Sequence, residues 1–175
     1  MFCKNCEGGQ SCCSSLIFIK RIFLIIIVAI GAIFWYIHNS LVLAVTGSYF
    51  SQALPVEVGE EWQLVFTHSV ERTPWEEYYR VEDGGNLLYK TRFQSLGWGY
   101  PYSQSDGEFH ATKDGFELLM ERKYPVIKLM VAPEASPVLL HRGQKYNLCE
   151  IYGDREAVEI RPVSRLRYII TRLTR

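Results

Sequence analysis

The sequence predicts a mainly β protein: an antiparallel β-sandwich or barrel-like domain behind one N-terminal transmembrane helix. Three observations carry this. A long uncharged block lies near the start, the remainder alternates apolar and polar residues at period two, and turn signals punctuate it at even spacing. With 175 residues there is room for one ordinary domain beyond the block.

The block comes first. Ile22 to Ile37 carries no charge, and counted from Leu16, with Lys20 and Arg21 inside, it covers 22 residues. A single span needs ~20 mostly apolar residues. Lys20 and Arg21 near one end can snorkel to headgroups, and Trp35 and Tyr36 close the other end as an aromatic belt does. Cations precede the span, whereas Glu57, Glu60 and Glu61 follow it, so the positive-inside rule puts the N-terminus in the cytoplasm. The expected organisation is a cysteine-rich cytoplasmic tail over 1–15, a signal anchor over 16–38, an extracytoplasmic β domain over 41–163 and a basic tail over 164–175. A signal peptide cleaved after Val42-Leu43-Ala44 is the competing reading. The long block and the strand-like Leu41–Val45 favour the uncleaved anchor.

Cys3, Cys6, Cys12 and Cys13 all precede the span. Four thiolates match tetrahedral zinc, but adjacent cysteines rarely point at one metal, and a short acylated tail is the alternative. Cys149 stands alone beyond the span, so no intramolecular disulfide can staple the outer domain.

The outer chain reads as a strand meander. Trp62, Leu64, Phe66, His68 and Val70 alternate with polar residues; Glu71 to Pro74 form a turn; Glu77, Tyr79 and Val81 share the next face. Asp83-Gly84-Gly85 signals a hairpin into Leu87, Tyr89, Thr91 and Phe93. Short strands follow at Phe109–Thr112, Phe116–Met120, Val126–Val131, Tyr146–Tyr152 and Ala157–Val163, the last two flanking a hairpin signal at Gly153-Asp154. About eight or nine strands are expected at sandwich-like spacing. At the end Leu166, Ile169, Ile170 and Leu173 fall at i, i+3, i+4, i+7 among arginines, a basic amphipathic helix pattern, although Leu166-Tyr168-Ile170 also alternates as a strand does.

Two motifs are chemically dense. With a turn at Arg72-Thr73, cross-strand pairing sets Leu64 opposite Val81, Phe66 opposite Tyr79 and His68 opposite Glu77. The next hairpin sets Glu77 beside Thr91 and Tyr79 beside Tyr89. His68, Glu77 and Thr91 then form a polar cluster at the rim of an apolar face. A carboxylate beside an imidazole fixes its tautomer, as a base or metal ligand requires, yet it is also how a hairpin satisfies two polar groups. Ser69, next to His68 on a strand, would point to the other face, which argues against a nucleophilic dyad. The second motif is Gly97-Trp98-Gly99 at a strand end, either an anion-binding nest or a tight bend whose aromatics cap the sandwich. His110 and His141 read as isolated.

The run Phe66-Thr67-His68-Ser69-Val70-Glu71 with Thr73, Pro74 and Glu77, followed by Arg92-Phe93-x-Ser95-x-Gly97-x-Gly99-x-Pro101, resembles the bacterial family called "domain of unknown function 1850". The resemblance covers about residues 41–163. Trp98 stands where a small residue is commoner. The resemblance implies a small extracytoplasmic domain behind a hydrophobic segment, and association with TAXI-type TRAP solute transporters. It supplies no catalytic residue.

The expected function is therefore a membrane-anchored, non-catalytic accessory of such a transporter, without a cofactor, its partners the bilayer and a TRAP permease or solute-binding protein. Candidate binding residues are His68, Ser69, Glu71, Glu77, Gly97, Trp98 and Gly99. An extracytoplasmic metal-binding or hydrolytic module using His68 and Glu77 is one alternative, and a ligand-sensing domain another. Nucleic acid is excluded as a partner by balanced charge, 19 Lys+Arg against 19 Asp+Glu.

Overall fold

A computed structural model of the chain describes residues 9–95 and 107–174. The chain divides into two compact units, one ending at Asn39 and one beginning at Ser40.

The first unit is one helix, α1 (Gly9–Asn39). Its stretch Phe18–Asn39, 22 residues with mean hydropathy 2.3, is long and apolar enough to cross a membrane. The helix begins upstream of the expected residue 16, so Cys12 and Cys13 fall within it. At its other end Asn39 Nδ2 donates to the Trp35 carbonyl at 2.9 Å, satisfying one of the carbonyls that a helix terminus leaves open.

The second unit is built from antiparallel strands: β1 (Leu41–Thr46), β2 (Ser51–Val56), β3 (Glu61–Thr67), β4 (Pro74–Glu82), β5 (Gly85–Phe93), β6 (Glu108–Thr112), β7 (Gly115–Tyr124), β8 (Ile127–Met130), β9 (Val138–His141) and β10 (Gln144–Asn147). A short helix α2 (Leu148–Tyr152), strand β11 (Ala157–Ser164) and helix α3 (Arg165–Leu173) complete it. Among the described residues they form a four-stranded sheet in the order β2-β1-β11-β8 and a seven-stranded sheet in the order β10-β9-β3-β4-β5-β7-β6. The predicted β-sandwich class holds.

The inner faces share one core, in which Leu43, Val45, Val158 and Ile160 meet Trp62, Leu64, Tyr79, Val81 and Leu139. Trp62, 1% exposed, stacks on Tyr79 with ring centroids 4.5 Å apart, and its indole N–H donates to Asn86 Oδ1 at 3.1 Å. Burying an aromatic with its polar tip satisfied gives this centre both area and geometry. A second apolar cluster on the seven-stranded sheet joins Phe93 and Leu118 with Trp75, Phe109 and Phe116.

Asp83-Gly84 turns the chain from β4 into β5 as expected, with Gly84 at φ 79°, a conformation glycine adopts without a Cβ clash. Pairing then slips. Tyr78 faces Lys90, but Tyr79 faces Leu88, so Tyr89 is the extra residue of a bulge and not the partner of Tyr79. The bulge leaves Leu87 and Leu88 both buried and lets the Tyr89 hydroxyl donate to Glu61 at 2.9 Å.

Other expectations change for identifiable reasons. Tyr146–Tyr152 is not one strand: Asn147 Oδ1 accepts the Cys149 N–H at 3.1 Å, capping α2. Gly153-Asp154 is no hairpin, because β11 crosses to the other sheet and pairs with β1 and β8. Strands β2 and β9 add to the expected count. The C-terminal segment is helical, its N-terminus capped by Ser164 Oγ, which accepts the Arg167 N–H at 3.3 Å.

Two prolines sit in the four-stranded sheet. Pro55 lies on the edge strand β2, and Pro162 lies in β11 beyond the part that pairs with β8. Both are places where a missing N–H is tolerated.

Candidate functional site

A cleft of about 450 Å³ opens at one rim of the sandwich. Leu64 and Phe66 of β3 and Glu77 and Tyr79 of β4 form one wall, and Ile127 to Met130 of β8 form the other. The mouth is framed by His68 and Ser69 from the β3–β4 loop and by Ala135 and Pro137 from the β8–β9 loop. The two loops are pinned together where the Thr67 N–H donates to the Ala135 carbonyl at 2.7 Å.

The β3–β4 register differs from the expected one. Leu64 faces Glu77, Phe66 faces Trp75 and Trp62 faces Tyr79. The slip is four residues, an even number, so every side chain keeps its face. His68 is therefore not the cross-strand partner of Glu77, although both still line one cleft. The slip arises because β3 ends at Thr67 and a longer loop replaces the assumed two-residue turn. In that loop the His68 N–H donates to the Thr73 carbonyl at 2.9 Å and the Arg72 N–H to the His68 carbonyl at 3.0 Å, with Arg72 held at φ 56°. Strand alternation no longer governs Ser69, which lines the same cleft as His68.

The Glu71 backbone N–H donates to His68 Nδ1 at 3.4 Å, a long bond that uses the lone pair a neutral imidazole would offer as a base. Glu71 thus acts through its main chain. His68 also lies against the Trp75 ring, with centroids 5.8 Å apart.

Glu77 is the polar centre of the cleft. One carboxylate oxygen accepts from the Tyr79 hydroxyl at 2.7 Å and the other from the Trp75 indole N–H at 3.2 Å. Burial nonetheless pushes its pKa above the ordinary carboxylate value, and the two hydrogen bonds only partly oppose that. The Tyr79 hydroxyl is raised as well, by burial first and by the Glu77 charge second. Trp75 packs with the second cluster and Tyr79 with the main core, so Glu77 is the polar seam between two apolar bodies. Thr91, buried, lies opposite Glu77 as expected. The donors Trp75 and Tyr79 were readable beforehand: positions 75, 77 and 79 of a strand share a face. The β8 wall was not readable, because it depends on how two sheets stack.

Among the described residues no group of three or more His, Cys, Asp or Glu side chains is placed to hold a metal ion. Cys3, Cys6, Gly97, Trp98 and Gly99 lie outside the described residues.

His141 is not isolated. It is 4% exposed, and its Nε2 lies 2.8 Å from Glu60 Oε1. Arg142 holds both Glu60 oxygens, Nε at 2.5 Å and Nη2 at 2.8 Å, and the Glu57 N–H donates to Oε2 at 3.0 Å. The Arg142 guanidinium, helped by Glu57 and His141 against opposing burial, pulls the Glu60 pKa down to about 2. This clip ties the β9–β10 turn to the turn before β3, and none of its residues lines the cleft.

No curated protein and no solved structure matches the chain. The model of one family, "Domain of unknown function (DUF1850)", matches residues 62–148, a narrower span than the expected 41–163 that still takes in β3, β4, the loop between them and Glu77. Through that segment, about half of its length, the chain belongs to the DUF1850 family.

Proposed function

We propose that the chain is a single-pass, membrane-anchored extracytoplasmic accessory of a TAXI-type TRAP solute transporter, recognising its partner without catalysis through the cleft around Glu77. The observation that carries this reading is the cleft itself. It is mostly apolar and open at a rim, and among the described residues that line it Glu77 is the one carboxyl, with its ordinary ionisation disfavoured. That is a surface built to take an apolar group and orient it with one polar contact. Support for non-catalysis comes from the β3–β4 register, in which His68 is not the cross-strand partner of Glu77, and from the Glu71 N–H that His68 Nδ1 accepts. The anchor is α1, and the cation–acid asymmetry around it supports an outer placement of the β domain.

The test is purification of the full chain in mild detergent from membranes at endogenous expression, followed by mass spectrometry of what accompanies it. The permease or its solute-binding protein is expected with the wild type, and at about one-tenth the yield with Ala135→Trp, which fills the cleft mouth. Absence of both partners from the wild-type sample sinks the reading, provided the chain itself is recovered folded.

A ligand-sensing role is the second reading. It draws on the cleft volume, which falls in the ~300–1,000 Å³ range of small-molecule sites.

A further inference from the structure

Amphipathic helices normally bury their apolar stripe on the domain that carries them. Helix α3 does the reverse. It packs against β1 and β11, and its tie to the sheet is polar: the Tyr168 hydroxyl donates to the Ser51 carbonyl at 3.0 Å and accepts from Ser51 Oγ at 2.9 Å. Tyr168 follows Leu166 by two positions, about 200° around the helix, so the stripe of Leu166, Ile169, Ile170 and Leu173 lies away from that tie, half-buried at Leu166 and exposed from Ile169 on. Ile169 is 39% exposed, Ile170 52% and Leu173 82%. Arg167 flanks the stripe on one side, and Arg165 and Arg172 flank it on the other. Residues 161–175 hold five arginines and no acid.

Connectivity supplies a second, independent observation. The Arg165 N–H donates to the Ser40 carbonyl at 2.8 Å. Ser40 is the residue immediately after α1, so the start of α3 is tied to the first residue beyond the membrane-crossing candidate.

We propose that α3 lies in the headgroup region of the membrane that α1 crosses, its outward stripe among acyl chains and its arginines on anionic phosphate groups. This rests on the reading of α1 as a membrane span. The chemistry is that of an interfacial helix, in which apolar burial sets depth and flanking cations set lipid preference. The occupant is lipid because the stripe is narrow, bordered by cations on both sides, and tethered within one residue of the span. Docked this way, α3 would make a second attachment to the membrane.

The test is amide hydrogen exchange on the full chain in nanodiscs of phosphatidylcholine alone, in nanodiscs containing phosphatidylglycerol as well, and in detergent. In the anionic discs the peptide spanning 165–173 is expected to exchange about tenfold more slowly than in phosphatidylcholine discs. Arg167→Gln with Arg172→Gln should erase the difference between discs, and Ile170→Glu with Leu173→Glu should erase the protection. Both variants are checked for an unchanged thermal midpoint. Equal exchange in all three settings, in a chain that resists alkaline carbonate extraction, overturns the α3 assignment while leaving the span intact. Release of the chain by carbonate overturns the span and the tether with it. Protection that rises with protein concentration in detergent would give the stripe to a second copy and overturn the lipid assignment.

Discussion

Glu60 and Glu77 are two carboxylates on the same domain with opposite fates. Glu60 meets a guanidinium, an imidazole and a backbone N–H, and is held down at about 2. Among the described residues Glu77 accepts from two neutral donors, Trp75 and Tyr79, in a mostly apolar cleft, and is pushed up. The difference separates a fastening from a strained polar group. Charge-assisted bonds at a turn stabilise the fold, whereas a poorly solvated carboxyl held by neutral donors is the kind of group the proposed recognition role would use.

The largest expected effect tests the fastening half. Glu60→Ala strands the buried His141 and frees Arg142, and should lower the unfolding free energy by about 2 kcal/mol. Glu77→Gln keeps one acceptor and should cost under about 1 kcal/mol. Urea unfolding in detergent measures both, and the reverse ranking would break the comparison.

Next is pH, where the two groups act with opposite sign. The folded pKa of Glu60 lies below its ordinary value of 4.5, so its stabilisation is complete above 4.5 and is lost as pH falls toward about 2. The folded pKa of Glu77 lies above 4.5, so its contribution declines as pH rises from 4.5 through the folded value. Urea midpoints across pH should show Glu60→Ala converging with the wild type in acid. Glu77→Gln should gain on the wild type as pH rises.

The smallest effect sharpens the Glu77 half alone. Tyr79→Phe removes a hydrogen bond that stabilises the charged form, so the Glu77 pKa should rise further. Carbon-13 titration of the glutamate carboxyls follows this directly, and a fall would mean that the Tyr79 hydroxyl does not stabilise the charged carboxylate.

The meander β3–β4–β5 was legible because alternation and Asp83-Gly84 are local. The face of Glu77 was legible for the same reason, and it survived a four-residue register slip because four is even. What the sequence hid was set by distant contacts. The bulge at Tyr89 serves Glu61, 28 residues away; β11 joins β1 from the far end of the chain; and His141 finds Glu60 across 81 residues. At the C-terminus the pattern fitted helix and strand alike, so neither the helix nor its inverted packing was settled by periodicity, which cannot say which face a neighbour will take.

Pro55 and Pro162 bear on life among neighbours. Where copies of a chain meet, an open sheet margin is a template for strand-by-strand growth. Pro55 on β2, and Pro162 on the part of β11 that β1 covers but β8 does not, each withdraw one N–H donor from that template.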